Sequence, residues 1–150
     1  MKHNKYPLEK KVSVGNIELS YRQWKTNGRP ILLLHGLASN ARIWDLIAPI
    51  LAEHYSVIAV DQRGHGKSDK PNGGYDFSTV TEDVLAFMDA MNICNPIVVG
   101  HSWGGSVALC LATKYPKRIS GLCFVDGGLI EISRIPGNSL QKALGSMAPP

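Results

Sequence analysis

Ser102 is the residue of this chain best placed for covalent chemistry. It stands at the centre of Gly100-His101-Ser102-Trp103-Gly104, directly after the apolar run Pro96-Ile97-Val98-Val99 and directly before the helical stretch from Gly105 to Tyr115. A strand that enters a helix through a glycine-flanked serine makes a sharp turn, the nucleophile elbow. Strain lifts the hydroxyl out of the sheet, the glycines leave room for the backbone, and the free N–H groups of the helix start face developing negative charge. Such a turn suits acyl transfer. The five-residue pattern alone arises by chance in roughly one chain in twenty of this length, so its strand-then-helix setting is what gives it meaning.

A serine hydroxyl at its free pKa is a poor nucleophile and needs a general base within hydrogen-bond reach, held in turn by an acid. The five histidines are His3, His35, His54, His65 and His101, and none follows Ser102. His101 neighbours Ser102, and adjacent side chains diverge. His35 reads as a packed residue that shapes the turn after its strand. His65, between two glycines, belongs to a loop that reaches the rim of the site. His54 closes a helix, where a cation suits the C-terminal dipole, and His3 lies in the N-terminal tail.

The elements that must position Ser102 alternate between strand and helix. Val12 to Val14 and Ile17 to Trp24, around Gly15-Asn16, predict an antiparallel hairpin with a two-residue turn. Ile31 to Leu34 reads as a buried strand ending in His35-Gly36-Leu37, and a helix is expected over 41–53 with Ile43, Ile47, Ile50 and Leu51 on its apolar face, Pro49 being the place for a kink. Val57 to Val60 is the next strand. A helix capped by Ser78 follows, with Val80, Val84, Phe87, Met88 and Met91 as its inner face. Ile97 to Val99, a helix from Trp103 to Lys114 stopped by Pro116, and Ile119 to Val125 complete the series. The expected fold is α/β, a three-layer αβα sandwich around a mostly parallel sheet.

Three segments occur in a telling order: His35-Gly36 with Trp44, the loop Asp61-Gln62-Arg63-Gly64-His65-Gly66-Lys67-Ser68, and the elbow at Ser102. On these the chain resembles the α/β-hydrolase fold superfamily, in its esterase, lipase and carbon–carbon bond hydrolase branch. The resemblance covers residues 9–128 and implies strands 1–6 of 8, a truncated form of that fold. It implies an incomplete core over 1–128 and the start of a lid over 129–150. It further implies that the backbone N–H groups of Leu37 and Trp103 form an oxyanion hole, that the Trp103 indole packs near the acyl pocket or under the lid, and that Asp126 is a candidate for the triad acid. For Asp126 the competing reading is an aspartate that closes its strand and caps the turn. Asp61 is expected to organise its loop through backbone and guanidinium contacts. Dehalogenases and epoxide hydrolases of this family use an aspartate nucleophile, so Ser102 points to an ester, thioester, lactone or related small acyl substrate.

Composition sets the remaining bounds. With 44% hydrophobic and 19% charged residues the chain has ordinary globular usage. The net charge of +4 comes from scattered basic residues, which reads as a solvated surface and gives no nucleic-acid partner. No apolar run is long enough for a signal or a membrane span, and the expected location is the cytoplasm. Cys94, Cys110 and Cys123 lack metal-ligand spacing and are expected to be buried free thiols, with no metal and no cofactor. Ending at Leu122-Cys123-Phe124-Val125, the last strand would present an apolar edge for self-association. Because the base is absent, the chain as it stands is expected to be inactive, and the alternative reading is a non-catalytic module that binds a small ligand or partner in the same crevice.

Overall fold

The structure, a computed structural model, describes residues 6–127. Six strands form one sheet in the order β1-β2-β4-β3-β5-β6. β1 (Leu8–Val14) and β2 (Ile17–Gln23) make the expected hairpin, with Val14 paired to Ile17 across Gly15-Asn16. Gly15 takes φ 59°, the left-handed value that tight hairpin turns require and that glycine adopts without steric cost. β3 (Arg29–Leu34), β4 (Tyr55–Val60), β5 (Ile97–His101) and β6 (Gly121–Val125) run parallel to one another, and β4 joins the hairpin through an antiparallel pairing with β2.

The strand order decides where a site can form. The chain steps from β3 to β4 in one direction, then returns across β3 to β5 in the other. Parallel crossovers keep one hand, so these two connections cover opposite faces. Leu32, Leu34, Ile58 and Val60 accordingly pack with the helices α2 (Phe77–Ala90) and α3 (Trp103–Lys114), while Ile31, Leu33, Val57 and Ala59 pack with residues from the segment after β3. This is the expected three-layer arrangement. The carboxyl ends of β3 and β5, adjacent strands whose connections leave to opposite faces, open a crevice at the switch point.

The segment after β3 corrects the expectation of one helix over 41–53. It forms a 3-10 turn (Ala41–Trp44) and a separate four-residue helix, α1 (Ala48–Leu51), with Pro49 in the first turn of α1, where its missing N–H is no loss. Ala41, Trp44, Ala48 and Ala52 are the buried residues, whereas Ile43, Ile47 and Ile50 are 43%, 50% and 64% exposed. α2 is capped by Asp76 instead of Ser78, its carboxylate accepting the Thr79 N–H at 2.9 Å. Val80, Val84, Phe87 and Met88 are buried as expected, and α3 has the expected bounds, followed by a 3-10 turn over Pro116–Arg118. The cysteines are unpaired but not buried: Cys94 and Cys123 are exposed and Cys110 is half-buried. Cys123 shares with Val125 the exposed face of β6, opposite Leu122, which packs against the core beside α3. The lid assigned to 129–150 lies outside the described residues.

Candidate active site

Ser102 occupies the junction of β5 and α3 with φ 50° and ψ −118°, and its side chain lies in an exposed residue. Such a conformation costs a non-glycine residue on the order of 1–3 kcal/mol and persists only where the surroundings over-determine it. Here they do. The Ser102 N–H donates to the Val125 carbonyl at 3.0 Å, and the Ser102 carbonyl accepts the Gly105 N–H at 2.8 Å. A Cβ on Gly100 would lie 2.5 Å from the Gly105 Cα, and one on Gly104 would lie 2.5 Å from the His35 carbonyl oxygen, so only glycine lets α3 sit this close to β5 and β3. Gly127 is a member of the same cluster that sequence reasoning did not single out: its φ is 148°, and a Cβ there would lie 2.7 Å from the Ser102 Cα. The signal available was a glycine directly after an aspartate at a strand end.

The turn after β3 presses against the elbow, since a Cβ on Gly36 would lie 2.9 Å from Nδ1 of His101. His35 is wholly buried, with Nδ1 2.7 Å from the Gly36 carbonyl oxygen and Nε2 accepting the Gln62 N–H at 3.0 Å. A backbone N–H can only donate, so His35 carries its proton on Nδ1 and is neutral. Burial pushes its pKa down to about 4, against a partial upward pull from the bond to Gly36. The Gln62 side chain returns a bond to the His35 carbonyl at 2.7 Å. The N–H groups of Leu37 and Trp103 have no acceptor among the described residues.

The loop after β4 braces this turn. His65, 3% exposed, accepts the Ala38 N–H on Nε2 at 3.2 Å and has Nδ1 2.9 Å from the Arg63 carbonyl oxygen. It therefore sits beneath the site and not at the rim. Its ring lies 4.8 Å from that of His35 and 5.6 Å from the Trp103 indole, which lies 6.1 Å from Phe77. Asp61 accepts the N–H groups of Ala41 at 2.7 Å and Lys67 at 2.9 Å, and its carboxylate occupies the space a Gly66 side chain would need. The expected guanidinium contact is not made: Arg63 instead forms a bidentate pair with Asp83 of α2, at 2.6 and 3.0 Å, which holds its pKa above the usual value.

Asp126 ends β6 one residue beyond Val125, which pairs with His101, so it faces the crevice end of the sheet beside Ser102. It is exposed, has φ 50°, and caps no turn among the described residues. His54 is exposed and precedes β4, at the opposite end of the sheet. His35 and His65 have both ring nitrogens engaged, and Nδ1 of His101 is buried without a partner. Among the described residues no group of three histidine, cysteine, aspartate or glutamate side chains could hold a metal ion, and no helix is long and apolar enough to cross a membrane.

A mixed sheet with four parallel strands and a strained serine at the β5–α3 junction defines a class, and the sequence comparison agrees: the model of the α/β hydrolase fold family matches residues 29–150, and the chain belongs to that family. It is 34% identical over 119 residues to 2-(acetamidomethylene)succinate hydrolase of Mesorhizobium japonicum, covering 79% of this chain and 42% of that protein. It is 42% identical over 100 residues to a soluble epoxide hydrolase of Corynebacterium sp., covering 67% of this chain and 35% of the relative. The crystal structure of the enol-lactonase from Burkholderia xenovorans superposes with a TM-score of 0.72 at 32% identity, over 75% of this chain and 45% of that one. The chain spans less than half the length of each. These relatives are hydrolases that act on different bonds.

Proposed function

We propose that this chain carries the nucleophile and oxyanion hole of a serine hydrolase for an ester, thioester, lactone or related small acyl substrate. Ser102 Oγ attacks the acyl carbon while a base removes its proton, and the carbonyl oxygen becomes an oxyanion that accepts from the Leu37 and Trp103 N–H groups. The bond to the leaving oxygen or sulfur then breaks, and the leaving group takes the proton from the base. Water repeats the sequence on the acyl-enzyme, releasing the acid and restoring Ser102. Asp126 is the proposed acid that orients the base. The observation that carries the reading is an exposed, strained Ser102 beside a turn and a helix start whose Leu37 and Trp103 amides lack acceptors among the described residues.

The base is the part these residues do not supply, because His35 and His65 have both ring nitrogens engaged, Nδ1 of His101 is buried, and His54 lies at the opposite end of the sheet. That same observation favours a second reading, a non-catalytic module that binds a small ligand in the crevice. Treatment with a fluorophosphonate and mass mapping of the adduct separates the two, in the 150-residue chain and in any longer polypeptide that contains it. The hydrolase reading expects an adduct on Ser102 that Ser102→Ala abolishes, forming faster where a histidine base is supplied. No adduct on Ser102 in either form would leave the binding module.

A further inference from the structure

We propose that His65, acting with His35, is a positioning residue that aims the Leu37 N–H into the crevice; this rests on reading Leu37 as an oxyanion donor. The Gly36 carbonyl and the Leu37 N–H belong to one planar trans peptide and point in opposite directions. Nδ1 of His35 holds that carbonyl at 2.7 Å, so the Leu37 N–H is turned to the other side, where it meets no acceptor among the described residues. The next peptide is held independently, by the Ala38 N–H bond to Nε2 of His65 at 3.2 Å. Both peptide planes that flank the Leu37 Cα are thus pinned, each by a histidine ring.

The pins are themselves anchored on a different loop. Nδ1 of His65 donates to the Arg63 carbonyl at 2.9 Å, and Nε2 of His35 receives the Gln62 N–H at 3.0 Å. The two rings rest on each other at 4.8 Å, and His65 rests at 5.6 Å on the indole of Trp103, the residue whose backbone N–H is the second proposed donor. Ala38 is held at φ 55°, a strained value that a loose loop would relax. If His65 served packing alone, an aromatic hydrocarbon ring would fill the site without the cost of burying imidazole nitrogens. Its two bonds instead fix an amide that has to stay oriented without reorganisation when charge develops.

Two variants and one spectrum test this. His65→Phe keeps a ring between His35 and Trp103 and removes the acceptor, whereas His65→Gln offers a side-chain oxygen to the Ala38 N–H. In the unmodified chain, nitrogen-15 spectra of the imidazoles are expected to show Nδ1–H tautomers at both His35 and His65, a result that needs no variant to fold. In His65→Phe the Ala38 amide proton moves upfield, and phosphonylation of Ser102 by a fluorophosphonate slows by about tenfold, while His65→Gln recovers most of that rate. An Nε2–H tautomer at His65, an unmoved Ala38 amide in His65→Phe, or a folded His65→Phe labelled at the unmodified rate would each overturn the positioning role. Absence of any Ser102 adduct in the unmodified chain is a different failure, that of the hydrolase reading itself.

Discussion

At the scale of single residues, the proposed site gathers strained backbone, with Ala38, Ser102, Asp126 and Gly127 all at positive φ. In a polypeptide that completes the triad, Ser102→Ala is expected to lower kcat by on the order of a millionfold, since nucleophile and base act as a unit; steady-state ester hydrolysis measures it, and retention of most activity would remove Ser102 from the mechanism. Gly127→Ala asks an L residue to adopt φ 148° with its Cβ 2.7 Å from the Ser102 Cα. A loss of roughly 1–3 kcal/mol in unfolding free energy is expected, together with slower fluorophosphonate labelling. His35 links the site to pH. Its pKa lies at about 4 in the fold against an ordinary 6.5, so below pH 6.5 the unfolded chain takes up a proton that the folded chain refuses. Stability therefore falls as pH drops from about 6.5 to about 4, by on the order of 3 kcal/mol, and is fully present above that window. Urea unfolding at pH 7 and pH 5 checks this, and the dependence should flatten in His35→Gln.

At the scale of elements, the helix ends and the broken helix show local and distant chemistry in competition. Asp76 caps α2 through the Thr79 N–H at 2.9 Å and the Thr79 hydroxyl at 2.8 Å, so Asp76→Ala should cost about 1 kcal/mol, read as a lower Tm. The helix expected over 41–53 was a sound reading of a 3.6-residue pattern in Ile43, Ile47, Ile50 and Leu51. What overrides it comes from the loop after β4: the Asp61 carboxylate takes the Ala41 N–H at 2.7 Å, while Asn40 caps the same turn through the Arg42 N–H at 3.0 Å. The chain starts as a tight 3-10 turn, Trp44 and the alanines rotate inward, and the isoleucines are left outside.

At the scale of the whole molecule, the sheet ends on an open edge among the described residues. β6 pairs with β5 alone, and Val125 is 39% exposed. An unpaired apolar strand is a template for another chain, so the 150-residue chain is expected to associate on sizing chromatography, and Cys123→Lys on that edge should shift it towards monomer. The same chain should hydrolyse a p-nitrophenyl ester no faster than Ser102→Ala does. A well-behaved monomer with ordinary turnover that Ser102→Ala removes would mean that one of the earlier histidines serves as base.

The sequence by itself determined the features whose physics is short-range. The hairpin at Gly15-Asn16, the inner face of α2, the bounds of α3 and the glycine-flanked turn at Ser102 each rest on residues within a few positions of one another, where φ limits, helical period and Pro116 act locally. The alternation of these elements was enough for the layered fold. The tertiary structure alone decided which partners polar side chains take. Arg63 could have served Asp61 in its own loop, yet it pairs with Asp83, twenty residues on; His65, between two glycines and without periodicity, became the acceptor for Ala38, twenty-seven residues back. A buried hydrogen bond is chosen by whichever donor and acceptor the packed sheet brings to about 3 Å with the right direction, and spacing along the chain carries no record of that distance.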